Sequence, residues 1–238
     1  MRPRAWAART TLAATFLLAG CVEAPQERVV APAAVDLAGL EVPSIAADSV
    51  QRRAQEVTVR VRSVGCTAFG LGSGFLLPGG VVVTNRHVVD QPREVTISTW
   101  DGRSLPAQVA GVATDSDLAL LEIGVADGLP EARLRTTPVV AGEEVFAVGY
   151  PGGGRVRVTP GRVLGTTDGT VLGEPSEVIR VEVEITQGSS GGPLVDSEGR
   201  VVGVVFAIEV DAGVGLAVPV EVLLERLDGA ELVPPAPC

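Results

Sequence analysis

The 238-residue chain has no lysine, a single histidine, a single tyrosine and few aromatics, which make up 3% of the sequence. Without lysine, Pro151-Gly152-Gly153-Gly154 cannot end as a phosphate loop does, and it reads as a flexible turn between strands. Basic residues, all arginine, number 19 against 29 acids, and the formal charge of −10 argues against nucleic acid as a partner. The apolar run from Thr11 to Ala19 is too short for a membrane span. With one histidine, any reaction that needs an imidazole base near neutral pH must use His87.

What is present begins with an export signal. Arg2, Arg4 and Arg9 precede the Thr11 to Ala19 run, with no acid among the first 20 residues. The segment ends in Leu18-Ala19-Gly20-Cys21, which resembles the bacterial lipoprotein box, and that resemblance implies acylation of Cys21 after cleavage. Residues 1–20 are thus expected to be a lipoprotein signal peptide. Residues 21–48, rich in Ala, Val and Pro, form a flexible tether to a membrane, and residues 49–238 form one exported domain. Setting Cys21 aside leaves Cys66 and Cys238, an even remainder that in an exported protein suggests a disulfide, with two free thiols as the alternative.

Val57, Val59 and Val61 alternate with polar residues, as do Ile179, Val181, Val183 and Ile185, the pattern of half-buried strands. Gly72 to Leu77 and Val81 to Thr84 flank Pro78-Gly79-Gly80 as a hairpin, and Glu144 to Tyr150, Arg155 to Thr159 and Val201 to Ile208 add strands. Helical spacing is read only at Pro219 to Leu227, with Val222, Leu223 and Leu227 on one face. Many short strands and one terminal helix predict an all-β barrel fold.

Three segments carry chemistry. Val83-Thr84-Asn85-Arg86-His87-Val88-Val89 holds the histidine, Thr114-Asp115-Ser116-Asp117-Leu118-Ala119-Leu120-Leu121 holds two candidate carboxylates, and Gln187-Gly188-Ser189-Ser190-Gly191-Gly192-Pro193-Leu194 holds two candidate serines. A serine hydroxyl becomes a useful nucleophile when a base takes its proton and a carboxylate orients that base. The order His, Asp, Ser along the chain is that of chymotrypsin-like double barrels.

These motifs resemble the trypsin-like serine peptidases, especially the bacterial HtrA/Deg branch, over Val57 to roughly Leu227. VGYPGGG at 148–154 and GVVFAIEVDAGVGLAVPV at 203–220 are most similar to a mycobacterial periplasmic member held by transmembrane helices, from which the lipoprotein box departs. The resemblance implies two six-stranded antiparallel β-barrels with a C-terminal helix, with His87 and Asp117 on the first barrel and Ser190 on the second. It implies Ser190 as nucleophile with Ser189 as fallback, His87 as general base, and Asp117 rather than Asp115 as orienting acid. The N–H groups of Gly188 and Ser190 are then expected to form an oxyanion hole. HtrA proteins carry a PDZ domain after the protease. None follows within these residues, so control by a PDZ ligand is not expected. Ser189 stands where digestive relatives carry an Asp that pairs with a freed N-terminus, so zymogen activation is not expected either.

The expected substrates are proteins or peptides, without metal or cofactor. Substrate-binding residues are expected at Glu184, Thr186 and Gln187, with Gly213 to Leu216 as a further wall and the backbone of Phe206, Ala207 and Ile208 pairing with the substrate as an added strand. Glu184, six residues before Ser190, suggests a basic residue before the scissile bond, whereas HtrA-type pockets imply a small aliphatic one. A latent or inactive protease-fold scaffold and an envelope esterase are the competing readings.

Overall fold

Valine alternating with arginine, threonine and glutamate gives strands such as 58–65 and 177–182 one apolar face, and in the computed structural model two sets of six strands close around apolar interiors. The structure describes residues 45–124, 126–172, 177–209, 213–229 and 232–237. The expected signal peptide, Cys21, most of the expected tether and Cys238 lie outside them.

The first barrel contains β1 (Thr58–Gly65), β2 (Phe69–Leu77), β3 (Val81–Thr84), β4 (Pro92–Ser98), β5 (Ser104–Val112) and β6 (Ala119–Ile123), closed in the order β1-β2-β3-β6-β5-β4. After β7 (Arg133–Leu134), the second uses β8 (Glu144–Gly149), β9 (Arg157–Asp168), β10 (Glu177–Glu182), β11 (Pro193–Asp196), β12 (Arg200–Glu209) and β13 (Val214–Pro219). Their order is β11-β8-β9-β10-β13-β12, a β11–β12 pairing closes the ring antiparallel, and β7 flanks β12 in parallel. Val61, Val82, Ile97 and Leu121 fill the first barrel, and Val145, Ile179, Leu194 and Val205 fill the second. A third apolar cluster, including Phe75, Val83, Leu118, Val148 and Val204, draws on strands of both barrels and packs them together.

Among the described residues two α-helices are present where the spacing predicted one. Helix α1 (Ile45–Val57) straddles the expected domain boundary at Ser49 and buries Ala54 and Val57. Val57 therefore ends a helix instead of opening a strand, and β1 starts at Thr58, whose hydroxyl donates back to the Ala54 carbonyl at 2.6 Å. Helix α2 (Val220–Leu227) follows Pro219 as expected, yet the residues it buries are Val220 and Leu223, while Leu227 is 37% exposed. Beyond α2, Val233 exchanges backbone hydrogen bonds with Val112 of β5, returning the C-terminal tail to the first barrel.

Asp196, at the end of β11, is 1% exposed and stays ionically matched through Arg135 at 3.5 Å and Arg200 at 2.8 Å. The Arg135 guanidinium also grips Glu143 and holds its carboxyl below the usual carboxylate range. This network pins the strand that follows the Ser190 turn.

Candidate active site

β3 delivers the chain to Asn85, and the single 3-10 turn Arg86–Val89 presents His87 at the seam between the barrels. Asp117, 4% exposed just before β6, receives the His87 Nδ1–H on one carboxylate oxygen at 2.5 Å and the His87 backbone N–H on the other at 3.0 Å. The Asp117 carbonyl accepts from the Asn85 amide at 2.7 Å and the Arg86 N–H at 3.4 Å. Four bonds thus fix one turn against another. A carboxylate can only accept, so in the neutral ring it selects the tautomer with the proton on Nδ1 and the lone pair on Nε2. The ring is 50% exposed. Asp115 is exposed and turned away, bonded to Arg226 of α2 at 2.7 Å, so the structure brings Asp117 and not Asp115 to His87.

The serine turn lies between β10 and β11. Ser189 N–H donates to Thr186 at 3.0 Å, Gly191 N–H to Val205 at 2.7 Å and Gly192 N–H to Ser189 at 3.0 Å, whereas the N–H groups of Gly188 and Ser190 have no acceptor among the described residues. Gly188 sits at φ +95°, and a Cβ there would lie 2.5 Å from the Tyr150 carbonyl oxygen, so only glycine fits. Gly191, at φ +84°, passes so near the first barrel that a Cβ would lie 2.2 Å from the Ser73 carbonyl oxygen. The Ser190 carbonyl accepts from the Ser73 N–H at 2.7 Å. The Ser190 hydroxyl donates to the Phe206 carbonyl at 3.4 Å, and no hydrogen bond joins it to His87 among the described residues.

Ser189 is 9% exposed and packs on Gly149 of β8, sharing a narrow crevice with Glu184, Thr186, Arg157 and Thr159. Phe206, Ala207 and Ile208 do not line that crevice. Val183 and Ile185, on the alternate face from Glu184, reach toward β13, where a Cβ on Gly215 would lie 2.5 Å from the Ile185 methyl. The β12–β13 register shifts between Val205 and Ala207, a bulge at Phe206 that takes its backbone out of the ladder. Gln187 accepts from the Gly152 N–H at 2.8 Å, tying the serine turn to the Pro151–Gly153 turn.

Three positioning residues escape sequence reading. The buried Ser73 hydroxyl donates to the Gly188 carbonyl at 2.7 Å and accepts from the Tyr150 N–H at 2.8 Å, bracing the serine turn from the opposite barrel. Tyr150 is buried, which pushes its phenol above the ordinary value, and its hydroxyl reaches the Thr58 carbonyl at 3.3 Å. Asn85 holds Asp117 as described. Serine in a Gly-Ser-Gly strand and asparagine before a turn carry no distinctive local pattern, so only the tertiary contact reveals them.

Two closed six-stranded antiparallel barrels followed by a C-terminal helix define the chymotrypsin-like fold. The model of the trypsin-like peptidase domain matches residues 72–204, and the chain belongs to that family. Among curated relatives, serine protease Rv3671c of Mycobacterium tuberculosis (MarP) is 32% identical over 180 residues, 71% of this chain and 44% of that protein. A DegP-like periplasmic serine endoprotease of Hahella chejuensis is 38% identical over 165 residues, 66% of this chain and 34% of that protein. The chain therefore spans less than half the length of these relatives. Among solved structures, the active form of Rv3671c protease matches with TM-score 0.70 at 28% identity, covering 82% of this chain and 89% of that one. The HtrA-type protease AlgW with tripeptide matches with TM-score 0.71 at 28% identity, covering 76% of this chain and 62% of that one.

Proposed function

We propose that the protein is an extracytoplasmic serine endopeptidase that cleaves peptide bonds through Ser190, His87 and Asp117 by way of an acyl-enzyme. The observation that carries this reading is the doubly bonded His87–Asp117 pair standing at the seam to which Ser73 ties the Ser190 turn. His87 Nε2 takes the Ser190 proton as the oxygen attacks the scissile carbonyl, then returns it to the leaving amine. The unoccupied N–H groups of Gly188 and Ser190 receive the developing oxyanion. The resting hydroxyl lies on the Phe206 carbonyl, so turning Ser190 about its side-chain torsion toward His87 is part of engagement.

Gly188→Ala tests the oxyanion role. The methyl collides with Tyr150 and forces the turn out of its left-handed conformation. We expect kcat to fall by about 10²- to 10³-fold, the usual loss for one oxyanion donor, with KM little changed. Unchanged kcat in a folded variant contradicts the role.

For the residue before the scissile bond, the packing of Ile185 and Val183 against Gly215 supports a small aliphatic side chain over a basic one, since Glu184 projects from the alternate face. Matched peptides with Val and Arg at that position separate the two. Faster cleavage of the Val peptide is expected, and faster cleavage of the Arg peptide would restore Glu184 as the selector.

The export reading extends to a tether lipidated at Cys21, with a role in envelope protein processing or stress response. A Cys66–Cys238 disulfide is supported by the bonded state of Cys66 and by the tail, which runs through Pro234 to Ala236 beside Asp90 and Gln91, residues that also line a pocket with Cys66. So long a loop would constrain the unfolded chain by at most roughly 5 kcal/mol. Cys66→Ser is expected to lower the melting temperature, and melting that is unchanged by the substitution or by reductant contradicts the bond.

A further inference from the structure

On the outer face of β1, Arg60 and Arg62 occupy successive outward positions. With Arg52 of α1 and Arg155 ahead of β9 they line a cleft of about 990 Å³, in which Glu56 is the only acid among the described lining residues and Trp100, 49% exposed, supplies an aromatic wall. Four guanidinium groups thus face one carboxylate on a chain whose formal charge is −10. Arg52, Arg62 and Arg155 make no ion pair among the described residues, whereas Arg135, Arg180, Arg200 and Arg226 are all paired. Arg103 and Asp101, at the rim, neutralise each other at 2.9 Å. Arg60 is braced by the Gly153 carbonyl at 2.8 Å, the Ser98 hydroxyl at 3.2 Å and the Tyr150 ring, yet its buried Nε has no acceptor among the described residues. Like charges held together in excess of their counter-charge make a site selective for anions.

The cleft reaches the serine turn through Arg60, which donates to the Gly153 carbonyl of the turn that the Gln187 carbonyl holds through the Gly152 N–H. On the peptidase reading, a polypeptide paired with Phe206, Ala207 and Ile208 up to its scissile carbonyl would continue past Ser190 along β2, whose Ser73 N–H meets the Ser190 carbonyl. Leu71, roughly 7 Å further along that strand, leans on Gly153, and its cross-strand partner is Arg62. We infer that the cleft is a subsite for acidic side chains of a polypeptide substrate, roughly two to four residues beyond the scissile bond. This rests on the peptidase reading above.

The test uses the full chain and quenched fluorescent peptides identical up to the scissile bond, carrying Glu, Gln or Lys at the second to fourth positions after it. At low salt the Glu peptides are expected to exceed the Gln peptides roughly tenfold in kcat/KM, mainly through KM, as two or three exposed charge contacts allow. The ratio should collapse toward one in 1 M NaCl. Arg62→Glu combined with Arg155→Glu should reverse the order in favour of Lys, a result that a purely structural role would not produce. Both side chains are exposed, and the glutamine pair, expected to erase the ratio, serves where charge reversal lowers stability. Equal kcat/KM for Glu and Gln peptides, or a ratio untouched by these substitutions, overturns the inference. If no peptide is cleaved, the peptidase reading fails separately, and the same peptides are titrated onto Ser190→Ala by fluorescence anisotropy. Tighter binding of the Glu peptide, lost with the arginines, then supports the subsite, and equal binding overturns it.

Discussion

Replacing Ser190 with alanine is expected to lower kcat by about 10⁶-fold, the loss typical when a nucleophile is removed from a coupled triad. The remainder reflects binding and the oxyanion donors, which the substitution leaves in place. The fold should be unaffected, because the Ser190 hydroxyl makes one long hydrogen bond, at 3.4 Å, whereas its backbone carries the contact to Ser73. Ser189→Ala is the matched control. That side chain packs on Gly149 and faces the crevice with Glu184, so turnover should stay within a few-fold of the parent. Peptide hydrolysis followed by mass spectrometry separates the two, and loss in Ser189→Ala with retention in Ser190→Ala would exchange their roles.

Asp117→Asn should cost about 10⁴-fold in kcat while leaving the backbone intact. The carboxylate accepts from both the His87 N–H and Nδ1–H, at 3.0 and 2.5 Å. An amide can satisfy one of these with its oxygen, but turns its NH₂ toward the other. Where that donor meets Nδ1, the ring proton moves to Nε2 and the base is lost. A shape-preserving change with so large an effect identifies a tautomer effect. Asp115→Asn, in contrast, only loosens the bond to Arg226 and should leave kcat near the parent value. A loss confined to Asp115→Asn would overturn the assignment.

Much of this was legible in the sequence because it rests on local patterns. Alternating valines name half-buried strands, and Pro78-Gly79-Gly80 names the turn between β2 and β3. Flanking glycines single out the serine turn, since Gly188 and Gly191 hold left-handed conformations against another chain segment. Helix α1 was missed although Val50, Ala54 and Val57 stand at helical spacing, because Val57 also fits the alternation of β1 and the Ala-rich stretch before it resembles a spacer. The positions of Ser73, Tyr150 and Arg60 depend on the two barrels meeting, and pairing between barrels leaves no periodic trace in sequence. The reach of Glu184 was ambiguous for a related reason. An offset from the serine names a position along the chain, but only the packing of Ile185 against Gly215 tells which alternate face turns toward β13.

Whether Ser190 is an activated nucleophile is read from reaction of the protein with a fluorophosphonate probe, followed by intact mass in the parent, Ser190→Ala and Ser189→Ala. We expect one adduct on the parent and on Ser189→Ala and none on Ser190→Ala. A folded parent that stays unlabelled, or a Ser190→Ala variant that still labels, would contradict that role.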